Sequence, residues 1–361
     1  MVGSMTSSAD HVTSNGRGLW VETIRRDLLA GQQVKLSGTL FLVRRARQDV
    51  GQNSGLYVKC ELGDQTGWIE AVWWDAGKLG HEALEGLLAT PVWTVDGTAS
   101  VNRYGGRETP QIRIEMARAA TGTDPLEVPG LVRRSASSEE ELGEWLSETI
   151  DRIENVPISR LLKDTLGRDG LWRTQYLRAP AAVHYHHAYV GGLADHVRDM
   201  VSAGESCLVT FPRANSDLIL AGILFHDVGK LDTFSTASSP QIARTGRYLD
   251  HITAGISRLS LAMDACPGFP IQIREHLLHI VASHHGQKEY GSPVLPATRE
   301  AIVVNHLDRL SSLLSHFDEW GRQNSVDQFG WSIETSPWLK ITLAISSPDI
   351  PDSFDGDDFE L

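Results

Sequence analysis

Cysteine is scarce in this chain: three in 361 residues, Cys60, Cys207 and Cys266, far apart and odd in number. That argues against a disulfide framework or a zinc knuckle and fits a reducing, cytoplasmic compartment. Long apolar runs are missing too. No stretch approaches the ~20 residues that span a bilayer, and the polar segment from Met1 to Gly18 lacks the apolar core of a secretory leader. Positive charge is in deficit, with 33 Lys and Arg against 46 Asp and Glu and a net charge of -13. So acidic a chain does not coat polyanions nonspecifically, and any nucleic-acid contact must rest on a local groove and on metals. Part of the excess is local: Pro348 to Leu361 holds five Asp, one Glu and no basic residue, the composition of a disordered acidic tail.

What is present divides by periodicity. Gly18 to Leu29 reads as a short helix, and from Val34 the pattern turns to strand-like alternation. Val34 to Leu40, Tyr57 to Leu62, Trp68 to Trp74, Val92 to Val101 and Gln111 to Ala117 follow with Gly-rich turns, and a helical insert spans Leu79 to Leu88. Short strands with one helix before the last pair predict a small β-barrel, and an SH3-like barrel or small sandwich would give the same pattern. The run Leu62-Gly63-Asp64-Gln65-Thr66-Gly67-Trp68-Ile69-Glu70-Ala71-Val72-Trp73-Trp74 resembles the strand-turn-strand of nucleic-acid-binding OB-folds. On that resemblance Tyr57, Lys59 and Glu61 share one strand face, Trp68, Glu70, Val72 and Trp74 the matching set on the next, and Arg113 lies outward if Ile112, Ile114 and Met116 point in. An aromatic and basic face suits stacking on unpaired bases, and Arg44, Arg45 and Arg47 are phosphate candidates. The same tryptophans also fit a role in filling the barrel, and the arginines fit a solvated loop.

Residues 121–136 read as a Pro- and Gly-containing linker, with Ser137 or Ser138 as the N-cap of the next helix. From there nearly everything reads helical, with apolar spacing near 3.6 in Ile302-Val303-Leu307-Leu310-Leu314 and loops near 235–248 and 286–297. The expected fold class is therefore multidomain α and β. A disordered start over 1–18 precedes an OB-fold over 19–120, and a linker over 121–136 leads to an all-α domain over 137–345 and an acidic disordered tail over 346–361.

Eleven of the fourteen histidines fall between His184 and His306, where an even spread would put about five. An apolar helical run, Leu218 to Phe225, ends in His226-Asp227 and then Val228-Gly229-Lys230. An unpaired carboxylate at the end of a buried helix is costly, and a metal ion removes the objection. Gly229 is expected to let the backbone turn.

The runs His186-His187-Ala188-Tyr189-Val190-Gly191-Gly192-Leu193-Ala194-Asp195-His196, Phe225 to Lys230, His251-Ile252, Ser283-His284-His285-Gly286 and His306-Leu307-Asp308 resemble the HD-domain metal-dependent phosphohydrolases. With the barrel ahead of them, the chain resembles more narrowly the YhaM-type 3′-to-5′ exoribonucleases. The resemblance implies that His196, His226, Asp227 and Asp308 hold one metal and that His251 with His284, or with His285, holds a second, Asp227 bridging. Two divalent ions are expected, Mn²⁺ favoured with Fe²⁺, Co²⁺ or Mg²⁺ as alternatives; mixed His and carboxylate ligation suits a transition metal better than Ca²⁺. Lys230 would neutralise charge on the phosphoryl oxygens, and His186 or His187 would contact substrate or protonate the leaving oxygen. Asp250, Val294 and Ser311 stand where the family commonly has Gly, a basic residue and an acidic residue. The implied partner is single-stranded RNA, or single-stranded DNA, with no membrane and with a homo-oligomer compatible. Two alternatives stay open: a phosphohydrolase acting on a nucleotide or cyclic nucleotide, and a nucleic-acid-binding protein with a structural HD domain.

Overall fold

The computed structural model describes residues 19–51, 55–104, 107–184, 186–235, 240–324 and 326–345. The expectations for the 1–18 start and the 346–361 tail fall outside these residues. The described chain forms two compact units, one up to residue 135 and one from residue 136 onward.

In the first unit, α1 (Val21–Leu29) buries Val21, Ile24 and Leu28, spaced to lie on one side of a helix. Its first turn is capped from the turn between two strands of the barrel. Val21 N–H donates to Asp64 Oδ2 at 2.8 Å and Glu22 N–H to Thr66 Oγ1 at 3.0 Å. The Gly63-to-Gly67 run that carries the OB resemblance therefore satisfies helix donors that would otherwise be orphaned.

The strands are β1 (Val34–Val50), β2 (Leu56–Asp64), β3 (Gly67–Trp73), β4 (Val92–Tyr104) and β5 (Arg107–Ala119), with α2 (His81–Leu88) between β3 and β4. They close in the order β1-β2-β3-β5-β4, with β3 and β5 parallel and the other pairs antiparallel. This is an OB-fold barrel. β1 is not short. Its bulges between Leu36 and Thr39 and between Arg44 and Arg47 bend 17 residues around so that Leu42 pairs with both Gly63 and Val92. A further irregularity opposite Asp96 and Gly97 shifts the parity of β5. Ile112, Ile114 and Ala117 are buried, and Met116, expected inward, is exposed. Residues 121–135 are not a loose connection: Leu131 and Val132 are buried, and Gln65 N–H donates to Gly130 O.

The second unit is helical. α3 (Glu139–Asp151) begins in a capping box made by Ser138, the second of the two candidate serines, and Glu141. Then come α4 (Val156–Leu166), α5 (Arg173–Arg178), α6 (Gly192–Thr210), α7 (Ser216–Phe225) and α8 (Lys230–Thr233). The expected 235–248 loop instead carries the small hairpin β6 (Phe234–Ser235) and β7 (Gln241–Ile242) and the short helix α9 (Arg244–Tyr248). α10 (His251–Asp264), α11 (Ile271–Ser283) and α12 (Arg299–Gln323) complete the unit.

α7 is central, with every residue from Ile219 to Phe225 buried, packed by α4, α6, α11 and α12. α12 presents a different face from the one its apolar spacing predicts. Ala301, Val304, Leu307, Ser312 and His316 are buried, whereas Ile302, Leu310 and Leu314 are exposed. The inward stripe is partly polar because it serves the site, so an apolar count selects the wrong side.

Candidate metal centre

The chemistry gathers where α7 and α11 end. His226 is the C-cap of α7, and His284 is the C-cap of α11. Carbonyls at a helix C-terminus lack helical partners. Ile223 O accepts from His226 Nδ1 at 2.8 Å, Val281 O from His284 Nδ1 at 2.7 Å, and Tyr290 O from His285 Nδ1 at 2.6 Å. A carbonyl only accepts, so each ring carries its proton on Nδ1 and offers Nε2 as a lone pair. His196 on α6 has its Nδ1 3.0 Å from Ser311 Oγ on α12.

The Nε2 atoms converge on Asp227. Its Oδ2 lies 3.1 Å from His226 Nε2 and 3.9 Å from His196 Nε2. Its Oδ1 lies 3.5 Å from His251 Nε2 and 3.6 Å from His284 Nε2. One carboxylate thus divides its two oxygens between two groups of imidazoles. Asp308 Oδ1 is 3.3 Å from His196 Nε2, and His285 Nε2 is 3.2 Å from His251 Nε2. His196, His226 and Asp227 form one convergent donor set; His251, His284 and His285 form the other.

These donors fit a metal on a direct observation. His196, His226 and His284 are fully buried and Asp227 nearly so, yet His196 Nε2, His226 Nε2, His284 Nε2 and Asp227 Oδ1 have no hydrogen-bond partner. Buried polar atoms are ordinarily paired. Four orphaned lone-pair atoms converging from two sides, imidazole and carboxylate mixed, are what divalent transition metals accept.

The protonation states of the two carboxylates and of His196, His251 and His284 agree. Burial raises the Asp227 carboxyl, but Lys230 and His226 outweigh it and hold the group well below the usual carboxylate range. Asp308 is likewise raised by burial and brought down further by His196 and His226. Burial pulls His251 down to about 3, and burial with His285 and His226 pushes His284 well below its ordinary value. Burial lowers His196 as well. His226 is the exception: burial lowers it, and Asp227 more than compensates, so its value rises. Ionised carboxylates and neutral imidazoles are the forms that bind metal.

Gly229 works by closeness. Its φ of -68° is ordinary helical backbone, so no turn demands it. A Cβ there would lie 1.9 Å from His251 O, and the missing side chain lets α10 press against the turn after α7. The family departures also find places. Asp250 caps α10 by accepting from Thr253 N–H at 2.8 Å, Ser311 orients His196, and Val294 is exposed. The Lys230 ammonium is buried and ion-paired with Asp227 Oδ2. His187 is buried at φ 42°, its Nδ1 3.0 Å from Tyr189 Oη and its Nε2 3.4 Å from Asp199 Oδ2. Other histidines of the constellation lie apart. His306 is exposed with Nδ1 on Ile302 O, and His279 Nε2 accepts from Ala297 N–H. In the sequence Ser311 stands out only as a departure from the family pattern, and nothing along the chain places His186, expected at the substrate or the leaving oxygen, beside His196. The His186 ring lies 5.7 Å from the His196 ring.

On the barrel, the residues of the expected face are partly engaged with one another. Arg44 and Arg45 both pair with Glu61, and the Arg44 guanidinium lies 4.0 Å over the Trp68 ring. The Trp68 indole itself fills the space where a Cβ of Gly63 would be. Tyr57 and Trp74 pair at 4.9 Å, with Lys59 Nζ 5.5 Å over Tyr57. Trp74 lies just past the end of β3 and is exposed, Arg113 is exposed, and Val72, expected on this face, is buried.

An HD-domain family model matches residues 183–313, which include each residue of both donor sets. A protein of Oceanobacillus iheyensis, described as 3′-5′ exoribonuclease YhaM, is 30% identical over 277 residues, 76% of this chain and 83% of the relative. With an OB-fold barrel ahead of an HD domain and a relative of that extent, the chain belongs to the YhaM family of 3′-5′ exoribonucleases.

Proposed function

We propose that this protein is a metal-dependent 3′-to-5′ exoribonuclease that hydrolyses single-stranded RNA to nucleoside monophosphates. The observation that carries the metal-centred chemistry is the buried, orphaned donor cluster around Asp227; RNA and the polarity follow from the relative's description. His196, His226, Asp227 and Asp308 would hold one cation and His251, His284 and His285 a second, the two Asp227 oxygens facing one set each. Mixed imidazole and carboxylate donors suit Mn²⁺ or another divalent transition metal better than Ca²⁺. Bound divalent cations would supply Lewis-acid polarisation of the scissile phosphate and a more acidic water.

The chain's own groups do the rest. The carbonyls of Ile223 and Val281 lock the His226 and His284 tautomers, and Ser311 holds His196. Lys230 holds Asp227 ionised and keeps a positive charge beside the phosphate position. His187, engaged by Tyr189 and facing Asp199, supports the segment ahead of α6 rather than delivering a proton. In this reading residues 19–120 bind the strand, through the half-buried Tyr57 and Lys59 and the exposed Trp74 and Arg113 more than through Arg44, Arg45 and Trp68, whose side chains are engaged with Glu61 and with one another, and residues 137–345 cut it. Free Cys60, Cys207 and Cys266 support a cytoplasmic setting. No helix among the described residues is long and apolar enough to cross a membrane.

The test is digestion of 3′- and 5′-end-labelled single-stranded RNA and DNA with Mn²⁺ or EDTA. Metal-dependent release from the 3′ end of RNA, abolished in Asp227→Ala, is the expected result. Oligonucleotides left intact while mononucleotides or cyclic nucleotides are cleaved would overturn it.

A further inference from the structure

The chain beyond α12 lies outside the HD-domain match, which ends at residue 313. It folds back through bridges pairing Val326 with Ser332 and Trp331 with Ala344. At its centre Ser336 is fully buried, with Oγ 2.8 Å from His316 Nε2 on α12. Ser336 N–H donates to Ile341 O and Lys340 N–H to Ser336 O, both at 2.8 Å, closing a tight loop around Trp338. The indole is planted against two imidazoles. Its ring lies 5.7 Å from His186 at 29°, a stacked arrangement, and 5.1 Å from His316 edge-on. His186 is the ring next to His196, so a single imidazole separates Trp338 from a member of the donor cluster. Trp338 nevertheless keeps 36% of its surface exposed.

We propose that Trp338, braced by His186, is a stacking platform for a base next to the scissile phosphate. It is a positioning residue for the RNA substrate. An enzyme that removes one nucleotide per cycle must seat each new end in the same register whatever its sequence. Stacking on an indole does this, because every base has a π face. The anchoring ties the platform to the site: Ser336 is held to His316 of α12, the helix that also carries Asp308 and Ser311, the partner of His196. This inference rests on the exoribonuclease reading.

The experiment compares full-length wild type, Trp338→Ala and Trp338→Phe on two RNAs, one ending in an ordinary nucleotide and one whose 3′-terminal nucleotide lacks its base. On the ordinary end Trp338→Ala is expected to raise KM about tenfold, with kcat and bound metal little changed, and Trp338→Phe to keep most of the affinity. The abasic end should be bound weakly by wild type and no more weakly by Trp338→Ala. An equal loss on both ends, a fall in kcat together with bound metal, or no change at all would overturn the proposal. Wild type active from the 3′ end with an indifferent Trp338→Ala defeats this inference alone. A wild type inactive on every RNA end defeats the parent reading.

Discussion

Asp227→Asn separates the structural role of the central carboxylate from its proposed role in holding metal. Asp227 and Lys230 are 2% and 6% exposed and are paired with one another. The substitution leaves a buried ammonium without its counter-charge, and removing one partner of a buried pair costs about 3–5 kcal/mol. For a unit of about 200 residues each kcal/mol moves Tm by roughly 2–4 °C. In EDTA the variant is therefore expected to melt roughly 6–20 °C below wild type. Asp227→Asn with Lys230→Met removes both charges and should recover most of that loss while still failing to bind metal, since the shared donor is gone. Scanning calorimetry in EDTA and elemental analysis of metal-loaded protein read the two effects separately. If Asp227→Asn melts with wild type, or the double variant melts no higher than the single one, the buried pair is not what holds this turn. If Asp227→Asn retains full metal, Asp227 is not the shared donor.

Three further outcomes follow from the same geometry. Ser311→Ala removes the Nδ1 partner of His196 and is expected to weaken metal binding roughly 10- to 100-fold, read by competition with a chelator; unchanged affinity contradicts the positioning role. Trp74→Ala should weaken single-stranded RNA binding by about 1–3 kcal/mol, while Arg44→Ala, whose guanidinium serves Glu61 and Trp68, should cost barrel stability more than affinity in anisotropy titrations. For pH, His251 sits at about 3 and His284 well below its usual 6.5 in the folded protein. The unfolded chain therefore binds more protons in that window, so the stability these two rings contribute is present above about pH 6.5 and lost as pH falls towards 3. Thermal melts of metal-free protein from about pH 7 down to about pH 4.5 should show Tm falling; a flat profile would remove burial of neutral imidazoles as the cause.

Much of this protein is legible locally. A small barrel could be read from alternation, because strand period and turn chemistry are properties of neighbouring residues; its OB type came only from the family resemblance of the Leu62-to-Trp74 run. The buried helix ending in His226-Asp227 was legible for the same reason: eight successive apolar residues admit few other readings. Where a distant contact set the outcome, local pattern failed. Met116 turns outward because β5 is irregular opposite Asp96 and Gly97 on the neighbouring strand. Ile302, Leu310 and Leu314 lie on the solvent side because the inward face of α12 carries Asp308, Ser311 and Ser312. The histidines were countable, but nothing along the chain says which of them meet.

By itself, then, the sequence determined two units, a barrel and a helical domain, and a surplus of metal-ligating residue types in the second. Tertiary structure alone decided that His196 and Ser311, 115 residues apart, would touch. It also decided that the two oxygens of Asp227 would face different imidazole groups, and that Gly229 would matter for closeness rather than for its own dihedral angles. The physical reason is that ligation needs lone pairs converging within a few ångströms, and only the packing of α6, α7, α10, α11 and α12 brings those helix ends and faces to one point.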